Sequence, residues 1–318
     1  MKVFRDLQDR DIQTPCILTF GVFDGLHLGH QSIVERVVQR GRAERRPSTV
    51  VTFDPHPRAV LHPEGAPQFL QTFEQKTRGL QELGIDQVVV IEFTTAFSLV
   101  TAERFLLDFI FGRLDAREVY VGRGSTFGNA REGHFELLDQ VAHRLHRIAS
   151  EVPEAKLRGR RISSSMVRRL ISSGRMGLSR RMLGRPYEIE GHVIEGRKLG
   201  KSKLNYATAN IEPGGFVIPA TGVYVTATCV DGKWRRSVTN VGHRPTVGGD
   251  SDLTIETHIA DFDRDIYGQL IQVRFLHRLR GEVKFESMDA LRQQIDKDYK
   301  RTMRYFKSRP VRHSVEVL

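Results

Sequence analysis

The first half of the chain alternates short apolar, β-branched runs with amphipathic stretches. Four runs have the length and composition of buried strands, and they cover residues 17–20, 49–53, 87–91 and 118–121. In the segments between them, apolar residues return with the period of a helix. Such alternation predicts an α/β domain, in which a parallel sheet carries helices on both faces.

Beyond residue 184 the pattern changes to short strands interrupted by glycine and proline. Residues 222–227 and 270–275 are typical of these strands and predict a small antiparallel barrel. In residues 287–306, apolar side chains recur every four positions, at Leu291, Ile295, Tyr299 and Met303. This spacing predicts a final helix that packs across the barrel, and the main domain boundary falls near Gly184.

Length and composition agree with a globular protein of about two domains. The chain has 318 residues, of which 39% are hydrophobic and 27% are charged. No run approaches the ~20 apolar residues that a membrane helix needs, and the first residues lack the apolar core of a secretory signal. We therefore expect a cytoplasmic protein without a membrane partner.

The two cysteines and the net charge narrow the chemistry only a little. Cys16 and Cys229 are far apart and have no histidines at metal-ligand spacing, so we expect two buried apolar side chains rather than a disulfide framework or a zinc site. The formal charge of +11 suits nucleic acid, an acidic membrane surface or an anionic small substrate. The basic residues of segments 40–46 and 158–181 lack interleaved aromatic residues, which disfavours a nucleic-acid partner.

Residues 21–30 (GVFDGLHLGH) follow a predicted strand and precede a helix. Ligands of open parallel sheets bind at the carboxyl ends of strands, where a helix amino terminus offers free N–H groups to phosphate. Gly29 allows a close backbone approach, and His27 and His30 can both face the phosphates and stabilise charge as pyrophosphate leaves. The alternatives are a chance pair of histidines at a helix start or a pair of metal ligands.

This string resembles the signature of the nucleotidylyltransferase superfamily, in the form found in prokaryotic bifunctional riboflavin kinase/FAD synthetases. Residues 52–57 (TFDPHP) match that family's second block, and residues 162–168 (ISSSMVR) are similar to its Ser-Ser-Thr-x-Ile-Arg loop. The resemblance implies a Rossmann-like FMN adenylyltransferase domain over residues 1–184, with catalysis by His27 and His30. It also implies ATP contacts from Gly21, Phe23, Gly29, Ser163, Ser164, Ser165 and Arg168.

The serine loop also makes physical sense on its own. Serine oxygens can cap the helix that follows, and Arg168 supplies a charge-assisted donor to phosphate, although three serines could serve as a cap alone. A departure from the family occurs at residues 122–128 (GRGSTFG), where relatives carry Gly-x-Asp-Phe-x-Phe-Gly. Gly124 and Ser125 replace an acid and an aromatic residue, whereas Arg123 could add an anion contact.

Residues 196–202 (GRKLGKS) invite comparison with a P-loop but do not form one. The glycine spacing is one residue short, and a strand-rich region follows instead of a helix. Such a glycine-rich, basic loop can still cradle ATP phosphates through backbone N–H groups and basic side chains, here at Gly196, Lys198 and Gly200.

The next segment, residues 205–210 (NYATAN), resembles the Gly-Phe-Pro-Thr-Ala-Asn signature of riboflavin kinases. The resemblance implies that Thr208 and Asn210 hold Mg²⁺ and that Asn210 also contacts ATP, roles that suit hard oxygen ligands. The alternative is an ordinary strand. Asn205 and Ala207 replace the usual glycine and proline and can change the shape of the loop.

Four later segments, residues 240–246, 255–258, 265–268 and 279–285, resemble further kinase blocks. By this resemblance Glu256 is the general base that takes the proton from the ribityl hydroxyl of the flavin. A lone strand glutamate is otherwise a solvated surface residue. The flavin contacts implied by the same blocks are Asn240, Pro245, Thr246 and Arg280.

The resemblance thus implies a two-module enzyme that depends on ATP and Mg²⁺. Residues 185–318 would form a riboflavin kinase barrel that converts riboflavin to FMN, and the first module would convert FMN to FAD. Two alternatives stay open: a riboflavin kinase whose first module has altered or lost adenylyl transfer, and a flavin- or nucleotide-binding sensor without turnover. The sequence does not indicate an oligomeric state.

Overall fold

The computed structural model describes residues 1–195, 208–245 and 251–309. The chain divides into two compact units, Met1–Ser164 and Ser165–Leu318. The sequence boundary near Gly184 stays a prediction about the two modules. Four of the predicted site residues lie outside the described residues, namely Gly196, Lys198, Gly200 and Thr246.

The first unit is built on a parallel sheet of six strands. They are β1 (Lys2–Phe4), β2 (Cys16–Phe20), β3 (Ser48–Asp54), β4 (Gln87–Glu92), β5 (Ala116–Gly122) and β6 (Ile148–Val152). Their order across the sheet is β1-β4-β3-β2-β5-β6, and every neighbouring pair is parallel. The four predicted strands are therefore confirmed as β2 to β5, and the edge strands β1 and β6 are additions.

Helices cover both faces of this sheet, as predicted. They are α1 (Leu28–Glu44), α2 (Pro57–Leu61), α3 (Phe73–Glu82), α4 (Ala102–Arg104, continued as a π-helix over Phe105–Arg113) and α5 (Phe135–Arg144). Alternate strand residues feed two cores: Ile17 packs with α1 and α3, whereas Leu18 packs with the π-helix and α5. A two-stranded hairpin, β7 (Lys156–Leu157) and β8 (Arg160–Arg161), follows the sheet.

The second unit contains the predicted antiparallel barrel, which is closed. Helices α6 (Ser164–Ser172) and α7 (Met176–Leu183) precede it. Its strands are β9 (Tyr187–Ile194), β10 (Ala209–Ile211), β11 (Gly222–Val230), β12 (Lys233–Pro245), β13 (Ser251–Ile259) and β14 (Leu270–Arg280). The order around the barrel is β10-β13-β12-β11-β14-β9, with β9 pairing again with β10.

The barrel interior combines aromatic rings with a row of hydroxyls. Tyr187, Tyr224 and Phe275 are among the largest fully buried side chains. Beside them, five fully buried hydroxyl side chains follow one another with oxygen separations of 2.7–2.9 Å, in the order Thr228, Ser237, Thr226, Thr239 and Thr257. Hydrogen bonding within the row offsets the cost of burying these polar groups.

The final helix, α8 (Met288–Ser308), packs on β11 and β12 and confirms the predicted helix across the barrel. Its buried face differs from the predicted stripe, whose members Leu291, Ile295, Tyr299 and Met303 are half-buried. The fully buried positions are Asp298, Thr302 and Phe306. The spacing of apolar residues does not predict this buried face, because Asp298 is a charged residue that is buried in an ion pair with Arg280.

The two cysteines are free, and only one matches the expectation of burial. Cys16 is fully buried in the first core, and burial raises the pKa of its thiol to about 12. Cys229 is half-buried, because it lies next to the end of β11, where the chain turns at the exposed residues Asp231 and Gly232. The expectation of two buried cysteines was therefore wrong for Cys229.

Candidate functional site

The loop after β2 is tightly wound, and one of its glycines is required. The N–H of Gly21 donates to the carbonyl of Val51 at 3.0 Å, after which Phe23, Gly25 and Leu26 all adopt positive φ angles of 51°, 81° and 39°. A Cβ on Gly25 would lie 2.6 Å from Cδ1 of Leu70. Only glycine fits both the conformation and the space at position 25.

The structure brings the two predicted histidines together at the start of α1. His27 is the N-cap residue, and its Nδ1 accepts a hydrogen bond from the backbone N–H of His30 at 3.3 Å. The two rings stack with centroids 3.7 Å apart and planes 17° apart. A Cβ on Gly29 would lie 3.2 Å from the His27 ring, so glycine permits this close packing. The pair lies at the amino-terminal end of α1, and this end of a helix attracts anions.

Hydrogen bonds to residues elsewhere in the first unit anchor the same loop. Oδ1 of the buried Asp24 accepts from the N–H of Leu70 at 3.0 Å, and Nε2 of Gln71 donates to the carbonyl of Phe23 at 3.0 Å. The hydroxyl of Ser164 donates to the carbonyl of Asp24 at 2.9 Å. The loop and Ser164 are therefore physically connected. The ring of Phe23 is buried in the core, which leaves its backbone for any nucleotide contact.

The remaining residues of the serine motif differ in their surroundings. Ser163 is half-buried just before α6 begins, and Ser165 in its first turn is exposed. Arg168 is half-buried one turn later, and both Ser165 and Arg168 belong to the second compact unit. Their contacts with ATP stay predictions.

A buried lysine beneath the glycine loop was not among the predicted site residues. Lys76 on α3 is 8% exposed, and its Nζ donates to Oγ1 of Thr52 at 3.3 Å. Burial lowers the pKa of this ammonium, and the charges of Asp24 and Asp54 oppose the shift. The signal in the sequence is a lysine inside the apolar stripe of a predicted helix, three residues after Phe73 and four before Leu80.

The segment that departs from the family obtains a carboxylate from a neighbouring strand. The N–H of Gly124, which has a φ of 71°, donates to Oε1 of Glu151 at 3.3 Å, and Nε of Arg123 lies 3.6 Å from Oε2 of the same side chain. Glu151 belongs to β6. Phe127 keeps an aromatic ring in this segment and packs edge-on against Phe20 with centroids 5.2 Å apart.

Further phenylalanines extend this contact along the carboxyl edge of the sheet. Phe53 lies near the end of β3, and its ring contacts those of Phe93 and Phe97 at centroid distances of 5.8 and 6.1 Å. Phe97 and Phe127 both contact the buried Phe105 as well. Phe53, Phe93, Phe97 and Phe127 are half-buried, so part of this aromatic cluster is exposed to solvent.

In the barrel, four predicted site residues form one row across five neighbouring strands. Asn210 of β10 lies opposite Glu256 of β13, which lies opposite Asn240 of β12. Asn240 lies opposite Val223 of β11, which in turn lies opposite Arg280 of β14. Directly opposed residues of antiparallel strands point to the same face. Val223, Val225 and Ala227 are every second residue of β11 and therefore point to the same face of the sheet. Val225 and Ala227 pack with α8, so the row lies on the outer face of the barrel.

Helix α8 holds the arginine at the end of this row. Nε of Arg280 donates to Oδ2 of Asp298 at 2.8 Å, and Arg280 also donates to the carbonyl of Gly281 at 3.0 Å. Two other predicted residues lie at strand ends: the half-buried Thr208 immediately precedes β10, and Pro245 is the last residue of β12.

Each half of the chain matches a known protein family. Residues 9–166 match the family model described as FAD synthetase, and residues 183–306 match the model described as Riboflavin kinase. A Haemophilus influenzae protein named bifunctional riboflavin kinase/FMN adenylyltransferase is 34% identical over 310 residues, which cover 97% of this chain and 100% of that protein. The chain belongs to the bifunctional riboflavin kinase/FMN adenylyltransferase family.

Proteins of the same name from other bacteria are similar to this chain. The Escherichia coli protein is 34% identical over 94% of this chain and 96% of its own length, and the Listeria monocytogenes protein is 32% identical over 91% and 92%. A crystal structure from Streptococcus pneumoniae, titled a macrolide-efflux protein, is 28% identical with a TM-score of 0.84 and covers 95% of this chain and 98% of that one. Within residues 1–195, 208–245 and 251–309, no helix has the length and apolarity needed to cross a bilayer.

Proposed function

We propose that this member of the family makes FMN from riboflavin and ATP in its barrel, and FAD from FMN and a second ATP in its parallel-sheet module. The observation that carries the proposal is the row of Asn210, Glu256, Asn240 and Arg280, which motifs up to 70 residues apart contribute. The His27–His30 pair at a helix amino terminus supports the second activity.

In the kinase reaction, Glu256 accepts the proton of the terminal ribityl hydroxyl as its oxygen attacks the γ-phosphorus of ATP. A new O–P bond forms, and the bond to ADP breaks. Asn240 and Arg280 in the same row, with Pro245 and Thr246 at and after the end of β12, orient the flavin. In this assignment Glu256, in the row between Asn210 and Asn240, takes part in the chemical step, and the other residues of the row bind the substrates.

In the adenylyl transfer, a phosphate oxygen of FMN attacks the α-phosphorus of ATP, and pyrophosphate leaves. FMN phosphate is already ionised near neutral pH, so the main task of the protein is to bind and stabilise negative charge. His27, His30 and the N–H groups at the start of α1 serve that task, together with the predicted phosphate ligands Gly21, Gly29, Ser163, Ser164, Ser165 and Arg168. The aromatic cluster at the sheet edge offers a surface for the flavin ring.

The residues before and within β10 fit Mg²⁺ bound to ATP. Thr208 and Asn210 offer neutral oxygen ligands next to Glu256 in the sheet. Among the residues that the structure describes, no group of three or more His, Cys, Asp or Glu side chains could hold a metal ion. Two neutral protein oxygens suit an ion that keeps phosphate oxygens and water as most of its ligands. When bound, Mg²⁺ would neutralise charge on the transferred phosphoryl group.

Each of the two domains predicted from the sequence is assigned one activity. We assign residues 1–184 to adenylyl transfer and residues 185–318 to the kinase, with Gly196, Lys198 and Gly200 in the loop that binds the kinase ATP. Gly184 supports this boundary, since it ends α7 in the left-handed conformation and β9 begins shortly afterwards. Because ATP is an intracellular substrate, we expect the chain to act in the cytoplasm.

One assay tests both activities. The purified chain is incubated with riboflavin, ATP and Mg²⁺, or with FMN, ATP and Mg²⁺, and FMN and FAD are separated by chromatography. We expect both products, loss of FMN formation in Glu256→Gln, and loss of FAD formation in the double variant His27→Ala, His30→Ala. Formation of FMN alone would identify a kinase with an altered first module. Binding of flavin and ATP without either product would identify a sensor.

A further inference from the structure

Lys76 is a buried cation that the adenylyl transfer described above does not use. Its ammonium lies inside the first unit, and its hydrogen bond goes to the neutral hydroxyl of Thr52. The two carboxylates that attract it, Asp24 and Asp54, are also hydrogen-bonded to the N–H of Leu70 and to Arg5. Burying an ammonium costs free energy unless its charge and donors are compensated, so a neutral side chain of similar shape would be cheaper for packing alone.

Thr52 connects this lysine to the phosphate-binding loop. Its Oγ1 accepts from Nζ of Lys76 at 3.3 Å and donates to the carbonyl of Val22 at 3.3 Å. An ammonium can only donate, whereas a threonine hydroxyl can donate or accept. The Thr52 hydroxyl must therefore accept from the Lys76 ammonium, and it donates its own proton to the carbonyl of Val22. Val22 immediately precedes the left-handed Phe23, where the loop begins to turn towards His27.

We propose that Lys76 is a positioning residue of the adenylyl transfer step, which acts through Thr52 to hold residues 22–30 in their ATP-binding conformation. The inference rests on the proposed FMN adenylyltransferase function of the first module. The positive charge of Lys76 also lies beneath a loop that would bind a triphosphate, so Lys76 also favours binding of that anion. A lysine in this role must keep its charge and its donor, whereas a packing role needs only its carbon chain.

Four variants separate these roles. Lys76→Met keeps the length and removes the charge, Lys76→Arg keeps the charge, and Thr52→Val removes the connecting hydroxyl. Lys2→Met is the matched control, because Lys2 is an exposed lysine whose ion pair with Asp11 spans 3.6 Å. FAD formation from FMN is measured at varied ATP to obtain kcat and KM. FMN formation from riboflavin by the same samples reports on the second module.

We expect Lys76→Met to lower kcat/KM for ATP in FAD formation by roughly 10- to 100-fold, mainly through KM, as a misplaced binding loop does. Thr52→Val should lower it by about 3- to 10-fold, and Lys76→Arg should recover most of the loss. FMN formation should stay within about twofold in every variant, and Lys2→Met should match the wild type in both reactions.

Several outcomes overturn the inference. Unchanged ATP kinetics in Lys76→Met, or equal losses in Lys76→Met and Lys76→Arg, would show that the charge has no positioning role. If Lys76→Met does not fold, as judged by circular dichroism, wild-type kinetics in the folded Thr52→Val variant would also refute the inference. Failure of the wild type itself to form FAD would instead refute the proposed function of the first module.

Discussion

Asp298 on α8 and Arg280 at the end of β14 form a partly buried ion pair, in which Nε of Arg280 lies 2.8 Å from Oδ2 of Asp298. The Asp298 side chain is 3% exposed, and its Oδ1 accepts from Nε2 of Gln294 at 3.0 Å. Both carboxylate oxygens are therefore used. The pair fixes the orientation of the guanidinium that ends the row through Glu256, so the final helix supports one member of the proposed kinase site.

Asp298→Asn tests this relationship. The substitution removes the charge that holds Arg280, and we expect KM for riboflavin to rise by about 5- to 30-fold because a misoriented arginine binds the flavin less well. FAD formation from supplied FMN should not change. Steady-state kinetics of both reactions check the prediction, with Glu286→Gln as an exposed acidic control just before α8. A uniform loss in both reactions would point to general destabilisation instead.

Glu256→Gln tests the proposed base. The glutamine preserves shape but cannot accept the ribityl proton, so FMN formation should fall by about 10²- to 10⁴-fold. Adenylylation of supplied FMN should continue at the wild-type rate. Glu195→Gln is a control on an exposed residue just after β9 and should leave both reactions unchanged. Wild-type FMN formation by the Glu256 variant would remove this residue from the mechanism.

Gly25→Ala tests the wound loop. An alanine at a φ of 81° is strained, and its Cβ would meet Leu70 at 2.6 Å, so the loop must shift. We expect FAD formation to fall at least about tenfold while FMN formation is retained. Gly65→Ala is the matched control in the same unit, since a Cβ there meets no atom within 4 Å. Normal FAD formation in the Gly25 variant would show that the loop tolerates the shift.

Glu118 gives a prediction about stability and pH. This carboxylate on β5 accepts from Nε of Arg40 at 2.9 Å and from the hydroxyl of Tyr120 at 2.6 Å. The hydrogen bond from Arg40 is the largest cause that lowers the pKa of Glu118 below its ordinary 4.5, with Tyr120 adding to it and burial opposing it. Since the folded pKa is the lower one, this stabilisation is present above pH 4.5 and is lost as the pH falls through the folded pKa.

Urea unfolding of the wild type and Glu118→Gln, followed by circular dichroism, measures this effect. We expect the variant to lose about 1–3 kcal/mol of unfolding free energy at pH 7. The difference should shrink between pH 4.5 and lower values, where the wild-type carboxylate becomes protonated too. A difference that is independent of pH would show that the charge of Glu118 does not stabilise the fold.

Sequence patterns predicted the interior of the fold better than its edges. The strands β2 to β5 are rich in apolar and β-branched residues and are mostly buried, because both faces of the parallel sheet are covered. The edge strands were missed, since β1 has only three residues and no position of β6 is fully buried. The site was less predictable, because strand register decides that Asn210, Glu256 and Asn240 lie side by side.

Buried polar residues were the least visible features in the sequence. Lys76 and Asp298 occupy buried positions on α3 and α8, where apolar periodicity treats a charged residue as an interruption. Glu151 was invisible for another reason: it approaches Gly124 from a neighbouring strand, and only the parallel pairing of β5 with β6 brings the two together. Such contacts depend on tertiary structure rather than on local pattern.

The hydroxyl row inside the barrel has a collective consequence. A hydroxyl owns one proton, so Thr226 cannot donate to both of its neighbours, Ser237 and Thr239. The direction chosen by one member limits the choice of the next, as far as Thr228 at one end and Thr257 at the other. The proton directions of these five hydroxyls are therefore coupled, and a valine in place of Thr226 would divide the row into two shorter, independent segments.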